Sequence, residues 1–171
     1  MQLFGIAGWS GSGKTTLIVA LLPQLARRGL TVSTVKHAHH SFDVDQPGKD
    51  SYAHRAAGAH EVMISSGNRW ALMHELHGAP EPSLDELVSH MTPVDLLLVE
   101  GFKTLPHDKL EVHRPSLGKP LLQPDDPHIV AVASDARLAD LSVPFLDMNN
   151  VGAIADFIVA RTRPSRISGA A

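Results

Sequence analysis

The chain contains no cysteine, which removes disulfides, thiolate metal sites and cysteine nucleophiles together. It also lacks an excess of positive charge: 15 lysines and arginines stand against 18 aspartates and glutamates, a net −3 at pH 7. That balance argues against a general binder of nucleic acid or anionic membrane, while leaving room for a local basic patch. No apolar run approaches the ~18 residues a membrane span needs. There is no internal repeat and no linker-like stretch. What remains is 171 residues with 43% hydrophobic and 19% charged content, the profile of a soluble globular domain. The first apolar run starts at Leu3, so no signal peptide is expected, and the cytoplasm is the expected compartment.

Against that background one segment stands out. Gly8-Trp9-Ser10-Gly11-Ser12-Gly13-Lys14-Thr15 completes the pattern G-x-x-x-x-G-K-[ST]. Leu3–Ala7 before it reads as a short buried strand, and Thr16–Leu22 after it as the opening of a helix. In that setting the backbone N–H groups from Gly8 to Thr16 converge on the β- and γ-phosphates of a nucleoside triphosphate. Lys14 neutralises charge, the Thr15 hydroxyl is a Mg²⁺ ligand, and the helix N-terminus adds its dipole. Triphosphate binding is the expectation these residues carry by themselves.

The helix is expected over 14–28, bent or interrupted at Pro23 and closed by Gly29. Residues 30–36 are rich in β-branched side chains and read as a second strand, giving a βαβ unit with parallel strands. Beyond a polar stretch, a short helix is expected over 51–59. Residues 61–65 and 69–73, around Ser66-Gly67-Asn68, carry a hairpin signature. Ser83 with Glu86 forms a capping box, residues 94–100 make the most hydrophobic strand candidate, and 128–133 and 143–146 add two more. Asn149 or Asn150 caps a last helix that runs to Thr162. The expected architecture is a three-layer α/β/α P-loop NTPase with a mainly parallel sheet and an inserted β-hairpin. Residues 1–162 form one domain in this reading, with 61–76 as the hairpin insertion and 163–171 as a flexible tail. Both hairpin faces keep apolar groups, because Val62 and Ile64 alternate with Met63, so the hairpin is a candidate dimerisation element.

Two carboxylates flank the run Asp95-Leu96-Leu97-Leu98-Val99-Glu100. Ligands of parallel sheets sit at the carboxyl ends of strands, and Asp95 lies ~17 Å from that end at ~3.3 Å per residue. Glu100 is therefore the candidate for Mg²⁺ or the attacking water, and Asp95 a solvated strand-start residue. The polar loop after the second strand opens on the same edge. There Asp43, Asp45 and Asp50 are available to a metal or water, with Asp45 preferred, and Lys36 and Lys49 add positive charge. His37, His39 and His40 show no closed ligand set for a transition metal. The guanine motif N-K-x-D occurs nowhere. Asp135, after Ala133-Ser134, could accept hydrogen bonds from guanine N1 and N2, or could equally cap the next turn.

Lys36-His37-Ala38-His39-His40, the run from Asp43 to Ser51, and Val99-Glu100-Gly101-Phe102-Lys103 together resemble the molybdopterin-guanine dinucleotide biosynthesis protein B family over nearly all of residues 1–160. The resemblance implies a GTP-binding protein with weak Mg²⁺-dependent GTPase activity, homodimeric, that assists a guanylyltransferase attaching GMP to molybdopterin. Molybdopterin-loaded enzymes are further implied partners. The family's site residues correspond to Gly8, Gly11, Gly13, Lys14, Thr15 and Glu100, and its second motif to Asp45, Gly48, Lys49 and Asp50. Two other classes share the loop and fold. A small-molecule kinase needs a lid of cations, whereas Lys103, Lys109, Arg114 and Lys119 look dispersed. A non-catalytic, nucleotide-dependent adaptor needs only the bound state.

Overall fold

The computed structural model describes residues 1–38, 42–102 and 105–162. The expected tail 163–171, and His39, His40 and Lys103, lie outside the described residues. Contacts divide the chain into two compact units, Met1–His37 with Thr92–Ala171, and Ala38–Met91.

The first unit is built on a six-stranded sheet in the order β2-β5-β1-β6-β7-β8. Its strands are β1 (Gln2–Ala7), β2 (Val32–Lys36), β5 (Leu96–Glu100), β6 (Lys109–His113), β7 (Ile129–Ser134) and β8 (Phe145–Asp147). All five pairings are parallel. Helix α1 (Lys14–Arg27) presents Leu17, Ile18, Leu21 and Leu25 as one buried stripe, at the spacing that places residues on one helix face. Helix α4 (Val151–Thr162) adds Ile154, Ala155, Ile158 and Val159. These side chains join Phe4, Ile6, Leu96, Leu98, Leu110 and Val112 in one core.

Local chemistry sets the helix ends. Gly29 N–H donates to the Ala26 carbonyl and Leu30 N–H to the Leu25 carbonyl, the paired bonds that close a helix through a left-handed residue. The helix continues through Pro23. Pro23 deprives the Val19 carbonyl of its usual donor, and Val19 lies on the exposed side, where water is at hand. Asn150 rather than Asn149 caps α4, its side-chain oxygen accepting from Ala153 N–H at 3.1 Å.

Strand β6 was not expected from the sequence, and it lies beside β1 in the middle of the sheet. Its apolar residues Leu110 and Val112 enter the core, while the alternate positions Lys109, Glu111 and His113 are buried as well. Each buried charge is answered locally. Lys109 Nζ bonds Asp126 at 2.6 Å, and Glu111 accepts from the N–H groups of Leu122 and Gln123 at 2.9 and 2.8 Å. Burial pushes the Asp126 carboxyl upward, but the Lys109 ammonium and the His128 N–H outweigh it and hold the group below its usual range. Burial pushes the Glu111 carboxyl up despite the two N–H donors. These bonds anchor residues 114–128 to the sheet.

The second unit contains α2 (Asp50–Ala56), the antiparallel hairpin β3 (Glu61–Ser65) and β4 (Trp70–His74), and α3 (Leu84–Ser89). Val62 pairs with Met73 and Met63 with Leu72. Ser83 caps α3, its hydroxyl accepting from Glu86 N–H at 3.2 Å. Val62 and Leu84 are buried, while Met63, Ile64, Trp70 and Leu72 are exposed.

The Glu111 carboxyl supplies a pH test. Its folded pKa is raised, so its contribution to stability is full below the unfolded pKa and is lost as pH rises through the folded one. Glu111→Gln removes the ionisation. The stability of the wild type relative to that variant should therefore fall as pH climbs above the usual glutamate range, then level. Urea unfolding at stepped pH checks this, and a relative stability that climbs with pH would contradict the assignment.

Candidate functional site

The turn between β1 and α1 takes its shape from what surrounds it. Gly8 has φ +141°, and a Cβ there would lie 2.4 Å from the Val112 carbonyl oxygen and 2.8 Å from Ser12 Oγ. The closeness of β6 thus demands glycine. Gly13 is the residue before α1, with φ +101°, a left-handed conformation that glycine adopts without strain. Leu17 N–H to the Gly13 carbonyl begins the helical bonding, and a helix leaves its first-turn N–H groups without intrahelical acceptors. Lys14 Nζ reaches back across the loop to the Trp9 carbonyl at 2.9 Å. Ser12 Oγ is buried without a hydrogen-bond partner among the described residues. Left-handed glycines, an unspent helix terminus, a lysine and an orphaned hydroxyl suit an anionic ligand that brings its own acceptors.

Parallel register assembles the next group. Glu100 stands opposite Ile6 of β1 and Lys36 of β2, so all three strands end together beside the loop. The Thr15 hydroxyl donates to Glu100 Oε1 at 3.0 Å, with Oε2 at 3.2 Å. Lys36 Nζ is 3.5 Å from Glu100 Oε1 and 3.4 Å from Thr15 Oγ1. Glu100 is only 8% exposed. A hydroxyl and a carboxylate facing each other form a set of hard oxygen donors, which fits Mg²⁺. Asp95 lies at the other end of β5. It accepts from Thr31 N–H and Oγ1 at 2.7 and 2.6 Å, and the Thr31 hydroxyl bond, then the backbone one, holds its carboxyl below the usual range. It ties the start of β2 to the start of β5, a firmer role than a solvated strand start.

On the opposite side of β1 the structure brings in residues the sequence reading had scattered. Arg114 follows β6 directly. Its Nε donates to the Ser12 carbonyl at 3.1 Å and its Nη1 to Asp135 Oδ2 at 2.6 Å. Asp135 itself follows the end of β7. Leu117 lies against the open side of Gly11, and Trp9 Nε1 donates to the Pro120 carbonyl at 2.8 Å. The loop is therefore held along one flank by residues 114–120. The signal for this flank was the alternation of Leu110 and Val112 with charged neighbours.

The remaining expected residues belong to the second unit. Asp45 is 8% exposed and, with Asp43, receives Arg55 Nη2, each at 2.8 Å. Asp45 Oδ2 is buried without a partner among the described residues. Gly48 precedes Lys49, which stands at the N-cap of α2, and Asp50 occupies its first turn. His37, in the first unit, packs its ring 4.9 Å from that of Phe102.

The protein family described as molybdopterin guanine dinucleotide synthesis protein B matches residues 3–135. The molybdopterin-guanine dinucleotide biosynthesis adapter protein of Escherichia coli (strain K12) is 46% identical over 162 residues, covering 93% of this chain and 92% of the relative. That of Haemophilus influenzae is 45% identical, covering 92% and 88%. A crystal structure of molybdopterin-guanine biosynthesis protein B superposes with TM-score 0.72 at 28% identity, covering 93% of this chain and 99% of the other.

The two ends of β5 separate by mutation. Glu100→Gln preserves shape but removes the charge facing Thr15 and Lys36, so any Mg²⁺-dependent triphosphate hydrolysis at this site should fall about tenfold to a hundredfold. Asp95→Asn should leave turnover near wild type. Phosphate-release assays on both variants decide the point, and a larger loss from Asp95→Asn would reverse the assignment.

Proposed function

The chain belongs to the molybdopterin guanine dinucleotide synthesis protein B family, and from that premise we propose that it is a GTP-binding adapter with slow, Mg²⁺-dependent GTPase activity. Its place is in molybdopterin-guanine dinucleotide biosynthesis, the pathway named for its relatives. The observation that carries the nucleotide reading is the Thr15–Glu100 contact at the mouth of a glycine-shaped loop.

In this reading Thr15 and Glu100 would hold Mg²⁺, which would supply charge neutralisation to the triphosphate. The loop's N–H groups receive the phosphates, and Lys14 turns from the Trp9 carbonyl to the phosphate oxygens. Ser12 Oγ gains a partner for its unsatisfied hydroxyl. Lys36, beside Glu100, adds positive charge at the γ-phosphate end. Asp45, Gly48, Lys49 and Asp50 form the second motif of this reading, with Asp45 its preferred carboxylate. Asp135 is the candidate for reading guanine. Arg114 is already engaged by Ser12 and Asp135, which suits a holding role better than the mobile lid of a kinase. Slow hydrolysis fits an adapter whose bound state matters more than its turnover. Its partners in this reading are the guanylyltransferase that attaches GMP to molybdopterin and the enzymes that receive the product.

Lys14→Ala tests the site directly. Charge-assisted contacts of this kind are worth roughly 1.5–3 kcal/mol each, so GTP affinity should drop about tenfold or more. Calorimetry on the folded variant reads the change, and unaltered affinity would remove the phosphate-site assignment.

The exposed hairpin side chains Met63, Trp70 and Leu72 support a homodimer built through that hairpin. Trp70→Asp should shift the protein to monomer at micromolar concentration while GTP binding persists. Sedimentation measures it, and a wild type that is already monomeric would dispose of the hairpin interface.

A further inference from the structure

The sheet order gives the candidate site two sides. Strands β5 and β2 lie on one side of β1, and β6 and β7 on the other. Thr15, Glu100 and Lys36, the residues suited to Mg²⁺ and the γ-phosphate, gather on the β5 side. The base of a nucleoside triphosphate lies at the end remote from the γ-phosphate, so a γ-end on the β5 side leaves the β6 and β7 side for the nucleoside. At that end stand Arg114 and Asp135, joined at 2.6 Å and each roughly one-third exposed.

We propose that Arg114 is the positioning residue for guanine recognition, holding the Asp135 carboxylate toward the base edge while its second bond to the Ser12 carbonyl keeps that carboxylate in register with the phosphate loop. The inference rests on the GTP reading above and adds the way the base is read.

The chemistry follows from donor and acceptor counting. A carboxylate carries about four lone-pair positions, and Arg114 Nη1 occupies one of them on Oδ2. The remaining positions can accept the N1–H and exocyclic N2–H of guanine. Adenine offers an acceptor at N1 and no 2-amino group, so a fixed carboxylate repels it. An unfixed carboxylate would rotate away into water and lose that discrimination. Arginine suits the task because its planar fork donates in two directions at once, from Nε and Nη1, and both bonds are made here. Lysine, a single point of charge, cannot make both bonds with fixed geometry.

The full chain is titrated with GTP, ITP, ATP and XTP in Mg²⁺, as wild type, Arg114→Ala, Arg114→Lys and Asp135→Asn, with thermal melts to establish folding. Wild type should prefer GTP to ITP and ITP to ATP. In Arg114→Ala the GTP-over-ATP preference should shrink about tenfold or more, over and above any loss of affinity common to both nucleotides from the lost Ser12 bond, with Arg114→Lys intermediate. Asp135→Asn should favour XTP, because its amide donates to the 2-carbonyl of xanthine while its oxygen accepts N1–H. If Arg114 merely braces the loop, GTP and ATP weaken together and the preference is unchanged. That result, in either Arg114 variant, overturns the proposal. A wild type that binds GTP and ATP equally overturns it too while sparing the phosphate-loop reading, whereas a folded wild type that binds neither removes both.

Discussion

Register between parallel strands is the constraint on which the candidate site depends. Ile6, Lys36 and Glu100 share one level across β1, β2 and β5, so three strands deliver their carboxyl ends to the same place. A shift of one residue in β5 would turn Glu100 to the other face of the sheet and leave Thr15 without its acceptor. The opposite end of the sheet guards against that shift. Asp95 grips Thr31 through both backbone and side chain, pinning the starts of β2 and β5 to each other. The loop's shape then follows from its other neighbour, since Val112 passes too close to Gly8 for any side chain. Fold and site are one construction: β5 supplies the carboxylate and β6 forces the glycine.

Strand β6 carries an unusual burden for the middle of a parallel sheet. Strands buried on both faces are generally continuous apolar runs, yet Lys109, Glu111 and His113 are all inside. Partners for Lys109 and Glu111 come from the segment that follows the strand. Asp126 answers Lys109, and the N–H groups of Leu122 and Gln123 answer Glu111. Buried charge of this sort adds little net stability, because desolvation offsets attraction, but removing one partner is costly. Its effect is to specify a path. Residues 114–128 must run where those donors and acceptors meet, and that path places Arg114, Leu117 and Pro120 against the glycine-rich loop.

Most of the framework was legible from residue patterns. The first strand, the loop and the first helix announced themselves through an apolar run, a glycine-rich motif and a four-residue hydrophobic period. Glu100 over Asp95 follows from strand direction as an expectation; in the structure Glu100 faces Thr15 and Asp95 faces Thr31 at the other end of β5. The hairpin strands and the Ser83 cap also matched. What escaped was β6, because Lys109-Leu110-Glu111-Val112-His113 alternates charged and apolar residues like a solvent-facing segment. Its burial is decided by Asp126 and by backbone donors more than ten residues away, which no local window includes. Arg114 escaped with it: without the strand it looked like one cation among several. The acidic loop is legible as chemistry but not as placement. Asp45 is engaged with Arg55 within the second unit.

The chain holds two tryptophans, one in each compact unit. Trp9 belongs to the glycine-rich loop and bonds its indole to Pro120, while Trp70 lies exposed on the hairpin. The molecule thus comes with a built-in optical label for each half. Replacing Trp70 leaves a single tryptophan, excited apart from Tyr52 at the red edge of the absorption band, whose ring is tethered between the loop and the 114–120 flank. Its quenching and spectral maximum report on that flank alone, with no extrinsic dye and no cysteine to remove beforehand.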